Sequence, residues 1–525
     1  MDGRMRAGTR ETCAGQTRCS CEPLKRGRAE EPRRCRSQSV RSSGEAGNDR
    51  GAKGHRKEGN VSDRTDSKQP SAVPEREPTT TVGSIPVFKQ AKQDGETPGG
   101  GSAWGWVEES IWTPRMLATL NKGGPQGGKW FSLIDKVYSK ENLGKAIDAV
   151  VRNKGGSGVD GRSVEMLQQN KEATIQKLHL AIKTSSYKPK PVKRVYIPKL
   201  GSKELRPLGI PTVEDRAVQT ALRNAIEPIF EREFAGHSFG FRPNRGARGA
   251  LRRVNDLLER GHIWVVDADI KGYFDNIPQE KLLAAVAEKV SDGAVLSLIN
   301  QFLKQGVMES GKGWKPTEQG TPQGAVISPL LANIYLNPLD HLVASKGWEM
   351  TRYADDFIIQ CRTKEEAELA LVAVRQWIEG AGLTLHPTKT RIVNVMEEGF
   401  DFLGYHFKKR SRWPREKSVA KLKEELRAKT PRNSGTKMEL IIQAVNKTLR
   451  GWQAYFQFSN EAGMKPLNEW LRQRLRAILK RRAKRQGYPK GRDFQRWPIA
   501  YFRKLGLFEL HANPQRNLPI DGLAF

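Results

Sequence analysis

The chain has 525 residues, 90 Lys+Arg against 58 Asp+Glu, and a formal net charge of +32. Such an excess argues against a small-molecule enzyme with a neutral surface and for a polyanionic partner, nucleic acid first. No run of 18 apolar residues marks a membrane span, no apolar stretch follows the basic N-terminus as a secretory signal would, and five cysteines, four of them crowded between Cys13 and Cys35, form no disulfide framework and suit a reducing compartment.

Residues 1–100 hold one aromatic residue, Phe88, of the 40 in the protein, among clustered Gly, Ser, Thr, Pro and mixed charge. Such a segment buries too little apolar surface to offset its ordering entropy, so residues 1–103 read as a disordered extension, or as sequence translated from upstream of the true start. The spacing of Cys13, Cys19, Cys21 and Cys35 lacks the paired CxxC knuckles of zinc sites. Folded sequence is expected from Trp104 onward.

After Glu214 and Asp215, the apolar residues Val218, Ala221, Leu222, Ala225, Ile226, Ile229 and Phe230 keep helical spacing, with Pro228 expected to kink or shorten the helix near its end. Residues 263–268, IWVVDA, are branched and aromatic and predict a strand closed by Asp269, after which Lys271-Gly272 turns the chain. Around 351–361 two short apolar runs flank Tyr353-Ala354-Asp355-Asp356, a hairpin pattern with acidic residues at its tip. Met438, Ile441, Ile442, Val445, Leu449, Trp452 and Phe456 trace one helical face, and Leu467, Trp470, Leu471, Leu475, Ile478 and Leu479 another. Between Lys408 and Lys504 there are 28 Lys+Arg against 7 Asp+Glu, a net +21 in 97 residues. Residues 1–100 carry 20 positive and 14 negative groups, +6, so the folded part holds +26 and this basic stretch most of it. A merely solvated helix face rarely needs that much charge, whereas a phosphate-binding surface does.

Three carboxylates stand where a hard metal ion would need them: Asp269 at a strand end, Asp355 and Asp356 at a tight turn. Mg²⁺ favours carboxylate oxygens and completes its shell with water and substrate phosphates. Two such ions can activate an attacking hydroxyl and stabilise the leaving oxygen of an in-line phosphoryl transfer. On spacing alone a second reading stands beside this one, because Asp-Asp turns are common and a strand-end Asp can serve only as a cap. The eight histidines show no HxH or HExxH spacing. Cys361 follows the hairpin in an apolar run and reads as a small core residue. Asp267 shares a strand face with Asp269 and reads as a surface or salt-bridge residue.

Nine ordered blocks carry a family resemblance. Val266-Asp267-Ala268-Asp269-Ile270-Lys271-Gly272-Tyr273-Phe274-Asp275 and Tyr353-Ala354-Asp355-Asp356 resemble the third block and the YADD box of group II intron reverse transcriptases. Asn153–Gly161 resembles their N-terminal block. Ile197-Pro198-Lys199 with Arg206–Thr212 resembles the first fingers block, and Ser238-Phe239-Gly240-Phe241-Arg242-Pro243 the second. Gly320–Gly324 with Ser328-Pro329 is similar to the fourth, Gly382–Leu385 with Lys389-Thr390 to the sixth, and Phe402–Tyr405 to the seventh. The basic helical stretch with Gly451-Trp452 and Tyr455-Phe456 resembles the maturase domain that doubles as the polymerase thumb.

The resemblance implies an α+β right-hand polymerase, with fingers and a palm carrying an antiparallel sheet over 104–408, a basic α-helical thumb/maturase domain over 409–510, and a tail at 511–525 with no HNH endonuclease domain. It implies Asp269, Asp355 and Asp356 as catalytic residues and ligands of two Mg²⁺ ions, with Asp269 and Asp355 the principal ligands. Lys199 and Arg206 would hold the dNTP triphosphate, Gln323 would lie against the incoming nucleotide, and Phe274 would act as a steric gate, with a core phenylalanine as the other reading. Lys389 would stand near the active site, with an exposed surface lysine as its alternative. Trp452, Tyr455 and Phe456 fit helix core better than a base-stacking platform. The implied function is an RNA-directed DNA polymerase that also binds group II intron RNA to assist splicing and mobility, with a DNA target and primer and dNTPs as further partners and no membrane. The implied setting is the bacterial cytoplasm, at the nucleoid, with an organelle as the alternative. A splicing factor without polymerase activity and a reverse transcriptase domesticated for host defence are the rival functions.

Overall fold

A computed structural model of the protein describes residues 104–198, 205–309, 311 and 313–511. The expectations for residues 1–103, for Lys199 and for the tail after residue 511 lie outside them. The branched run after His262 forms a strand because its period of two can satisfy two covered faces at once. Val266 and Ala268 point into one hydrophobic core, Val265 into a second, and Asp267 and Asp269 follow Val265 on the same face.

Eleven strands are described. They are β1 (Val192–Pro198), β2 (Leu205–Ile210), β3 (Trp264–Asp269), β4 (Val307–Glu309), β5 (Gly313–Lys315), β6 (Glu349–Tyr353), β7 (Asp356–Cys361), β8 (Arg391–Asn394), β9 (Phe400–Phe402), β10 (Tyr405–Lys408) and β11 (Ser411–Pro414). The palm sheet has the order β6-β7-β3-β8 and is antiparallel throughout. The fingers sheet has the order β2-β1-β4-β5, with β1 and β4 parallel. A third sheet, β11-β10-β9, leads into the C-terminal helices.

The Val213–Glu231 helix begins at Thr212, whose side chain accepts the Asp215 N–H. It does not stop at Pro228, where a kink or a shortening is expected, but ends three residues later at Glu231. A proline at 228 leaves the Asn224 carbonyl without its helical donor. The indole Nε1 of the fully buried Trp112 donates to that carbonyl at 3.2 Å. The Ser328–Ser345 helix and the Lys364–Gly380 helix, the latter started by a Thr363/Glu366 capping box, cover the face of the palm sheet that bears Val266, Phe357 and Ile359.

Beyond residue 415 come three long helices, Glu416–Lys429, Met438–Tyr455 and Glu461–Arg482, of which the last two follow the predicted spacing. They bury Leu422, Ile441, Ile442, Val445, Leu449, Leu471, Leu475 and Ile478 in the second core, which also takes Val265 and Ile358 from the palm. The architecture is the expected α+β one. No helix among the described residues is long and apolar enough to cross a membrane.

Candidate active site

Asp269 closes β3 and Asp356 opens β7, and the antiparallel register sets the two directly opposite each other. Asp355 stands in the two-residue turn before β7. Like charges opposed on neighbouring strands destabilise a sheet, so this corner is costly unless a cation neutralises it. Burial raises the Asp355 carboxyl above the usual range, and the charge of Asp269 adds to the effect while Arg206 and Arg352 oppose it. Protein crowded around its carboxylate pushes Asp356 up to about 7, with Asp267, Asp355 and Asp269 adding to it, although the residue keeps an open side to solvent. Lys389 supplies one positive charge, its Nζ lying 2.6 Å from Asp269 Oδ2. The loop that carries it is fixed by the His386 N–H, which donates to the Asp269 carbonyl at 2.7 Å.

The acid-bearing turn is held from beneath by Arg352, Asn333 and Asp340, which no motif singled out, and by Gly240 of the second fingers block. Arg352, fully buried, donates through Nε to Asp340 Oδ1 (2.7 Å) and through Nη2 to Asp340 Oδ2 (2.5 Å). Its Nη1 donates to Asn333 Oδ1 and to the Ala354 carbonyl, both at 2.9 Å. Ala354 sits at φ 60, a left-handed conformation unfavourable for alanine that the bond from Arg352 helps to fix. Asn333 Nδ2 donates to the Gly240 carbonyl at 2.8 Å. A Cβ on Gly240 would come within 2.2 Å of the Ala354 nitrogen, so only glycine lets the second fingers block lie against the turn. One signal was present in the sequence: an arginine inside a buried strand demands a carboxylate, though not which one.

Arg206 projects from the exposed edge of β2, where Ile197 of β1 faces it. The loop from Gly320 to Gly324 joins three expected residues. The Gln323 carbonyl accepts the Gly209 N–H at 2.7 Å, which ties the loop to β2, and Gln323 Nε2 donates to Asp275 Oδ2 at 3.0 Å. The Thr321 N–H donates to the Phe274 carbonyl at 2.7 Å. Gly320 has φ 78, and a Cβ there would lie 2.6 Å from the carbonyl oxygens of Phe274 and Asp275. Phe274 itself is half-buried against the main core, edge-on to Tyr273 at 5.5 Å.

Asp267 pairs with Arg391 at 3.6 Å, as its surface reading expected, and Cys361 is buried. Buried Phe456, half-buried Trp452 and exposed Tyr455 all line a groove of about 860 Å³ that includes Asp356 and is flanked by Arg415, Lys421 and Lys429, while Phe456 also belongs to the second core and Trp452 packs against it. The aromatic trio is therefore part core and part groove wall, which the helical spacing alone does not separate.

Asp269, Asp355 and Asp356 are hard oxygen donors of the kind Mg²⁺ prefers. Among the described residues no group of three His, Cys, Asp or Glu closes into a metal cage. Carboxylate oxygens suit an ion that completes its shell with substrate phosphate and water.

Residues 197–407 match the family model described as reverse transcriptase (RNA-dependent DNA polymerase), and residues 419–497 match that of the group II intron, maturase-specific domain. Protein YkfC of Escherichia coli (strain K12) is 34% identical over 335 residues, 56% of this chain and 87% of that protein. The group II intron-encoded protein LtrA of Lactococcus lactis subsp. cremoris is 43% identical over 187 residues, 36% of this chain and 31% of LtrA. A solved partial Cas6-RT-Cas1–Cas2 complex superposes with a TM-score of 0.31 at 20% identity over 47% of this chain and 42% of that one, too low a score to bear on the fold. The two family models, lying in series over the palm sheet and the basic helices, and the extent of the match to YkfC mean that the chain belongs to the group II intron reverse transcriptase/maturase family of RNA-directed DNA polymerases.

Proposed function

We propose that the chain extends a DNA primer with dNTPs on an intron RNA template, and that it binds that intron RNA to assist splicing and mobility. The observation that carries the polymerase reading is the opposition of Asp269 and Asp356 across β3 and β7, with Asp355 in the adjoining turn and the positive charge of the fingers residue Arg206 acting on it. Bound Mg²⁺ would supply activation of the primer 3′-OH and neutralisation of the departing pyrophosphate. In this reading Asp269 and Asp355 are the principal ligands, with Asp356 contributing least.

Arg206, and Lys199 before it in the chain, would grip the triphosphate. Gln323, kept against β2 by its own carbonyl, would pack against the nucleotide, and Phe274 would bar a ribose 2′-OH while its base stays anchored in the core. Lys389 would trade its ion pair with Asp269 for one with substrate phosphate. We take residues 104–408 as fingers and palm and 409–510 as thumb, and place the work in the bacterial cytoplasm at the nucleoid. Phosphate contacts from the basic helices would hold intron RNA, so its affinity should fall steeply with salt.

Primer extension on an RNA template, with and without Mg²⁺, tests the polymerase half. Extension that needs the metal is expected. Well-folded, RNA-binding protein that makes no cDNA would leave only the splicing half, to be assayed as protein-assisted splicing of the intron RNA.

A further inference from the structure

A second concave site lies where the Glu416–Lys429 helix has ended. It has a volume of about 470 Å³ and is lined by Arg432, Arg481, Lys484, Arg485 and Tyr488. The groove over Asp356 runs along that helix as far as Lys429, and the two share no lining residue. Fourteen helical residues span about 21 Å at 1.5 Å per residue, so the pocket is well removed from the acids.

The pocket is built rather than left over from surface charge. Asp493, 1% exposed, accepts from Arg485 Nη1 (2.7 Å) and from the Lys490 N–H (3.0 Å), and pairs with Lys480 Nζ at 3.1 Å. Lys480 Nζ also donates to the Tyr488 carbonyl at 2.7 Å, so a buried ion pair pins the loop from both ends. Lys484 and Gly487 take left-handed φ values of 57 and 82, which fold the loop back over the end of the Glu461–Arg482 helix. One buried carboxylate is all the negative charge this network holds. Among the described residues Arg432, Arg481 and Lys484 have no carboxylate in ion-pair reach.

Within this ring of unpaired cations Tyr488 is 73% exposed, with the Arg432 guanidinium 5.8 Å from its ring centroid. An exposed aromatic ring beside cations matches the two faces of a single-stranded nucleotide, the base on the ring and the phosphates on the guanidinium and ammonium groups. A duplex hides its bases and would leave the tyrosine without a partner.

We infer that this pocket binds an unpaired nucleotide of an RNA strand, base against Tyr488 and flanking phosphates on Arg481 and Lys484, at the same time as a primer–template occupies the groove at the acids. The inference rests on the reading of the chain as an RNA-binding member of its family and names one place on it where RNA is held.

The test uses the full chain saturated with an unlabelled RNA-template/DNA-primer duplex and titrated with a fluorescein-labelled oligoadenylate of about eight nucleotides. The oligonucleotide should bind without displacing the duplex. Tyr488→Ala should weaken it about tenfold and Tyr488→Phe hardly at all, as stacking predicts. The Arg481→Ala/Lys484→Ala pair should also weaken it and lower the salt slope by about 1.4, two single-strand phosphate contacts. Primer extension by all three variants should match the unaltered chain. Displacement of the oligonucleotide by the duplex, or affinity and salt slope unmoved by Tyr488→Ala and by the double variant, would overturn the site. Loss of primer extension in the unaltered chain would instead strike the polymerase reading and leave this result standing.

Discussion

The palm and the basic helices concentrate opposite charges, and they do so by different means. In the palm, three carboxylates meet at one corner because strand register and a two-residue turn place them there, against their mutual repulsion. In the C-terminal helices, 28 Lys+Arg between Lys408 and Lys504 spread over long helices whose opposite faces are filled by leucine and isoleucine. The first arrangement depends on the position of each atom, and the second on a sum. Losing one acid should therefore be decisive, and losing one cation should be a fraction of the whole.

The largest effect expected is at the acids. Asp269→Asn should lower primer extension on the order of a thousandfold or more, measured under single turnover, and Asp356→Asn should lower it less. Equal losses would erase the ranking of ligands.

Next comes the support beneath them. Arg352→Met leaves the buried Asp340 without its arginine and should cost about 3–5 kcal/mol in denaturant unfolding. Arg352→Lys keeps the charge but gives up the paired hydrogen bonds to Asp340, and should lower the extension rate in protein that still folds. If both variants keep full stability and rate, the turn is not held as described.

Acid should unfasten the same support, because His237 accepts the Arg352 N–H through its carbonyl at 3.0 Å and sets its Nε2 3.9 Å from Asp340 Oδ1. Burial depresses the His237 pKa to about 4, from an unfolded value near 6.5. Between those values the unfolded chain binds more protons than the folded one, so stability falls as pH drops from 6.5 toward 4, by about 3 kcal/mol at most. His237→Gln should flatten that slope in urea melts recorded at pH 7 and pH 4.5. An unchanged slope would show that other groups govern it.

The smallest effect belongs to the basic helices. Lys421→Ala, on the wall of the groove, should weaken RNA binding by only about 1 kcal/mol and reduce the salt slope by about 1. A loss as large as at an acid would mean that this face too depends on single positions.

Much of the fold could be read from the chain because it follows short-range rules. The strand ending at Asp269, the hairpin at Tyr353–Asp356 and the two long C-terminal helices all follow periods of 2 or 3.6. Motif order singles out the acids, Arg206 and Gln323 as candidates. The support under the turn could not be read, because Arg352 meets Asn333 and Asp340, and Asn333 meets Gly240, only once the chain has folded, and no spacing rule pairs them. Pro228 shows the same limit in reverse. Local propensity predicted a kink or a shortening near the helix end, and Trp112, 112 residues before its acceptor Asn224, removes much of the reason for a stop at the proline. The basic stretch could be read as a sum of charge, but the pocket around Tyr488 depends on Asp493 and a left-handed loop that composition does not reveal.

The most direct test of the contrast between position and sum measures two quantities on one variant, Asp355→Asn: the single-turnover rate of primer extension on an RNA template, and the affinity for intron RNA. The account predicts that extension disappears while RNA affinity stays within about twofold, since the cations that hold RNA are elsewhere. Extension that survives the substitution would contradict the assignment of the acidic corner as the polymerase centre.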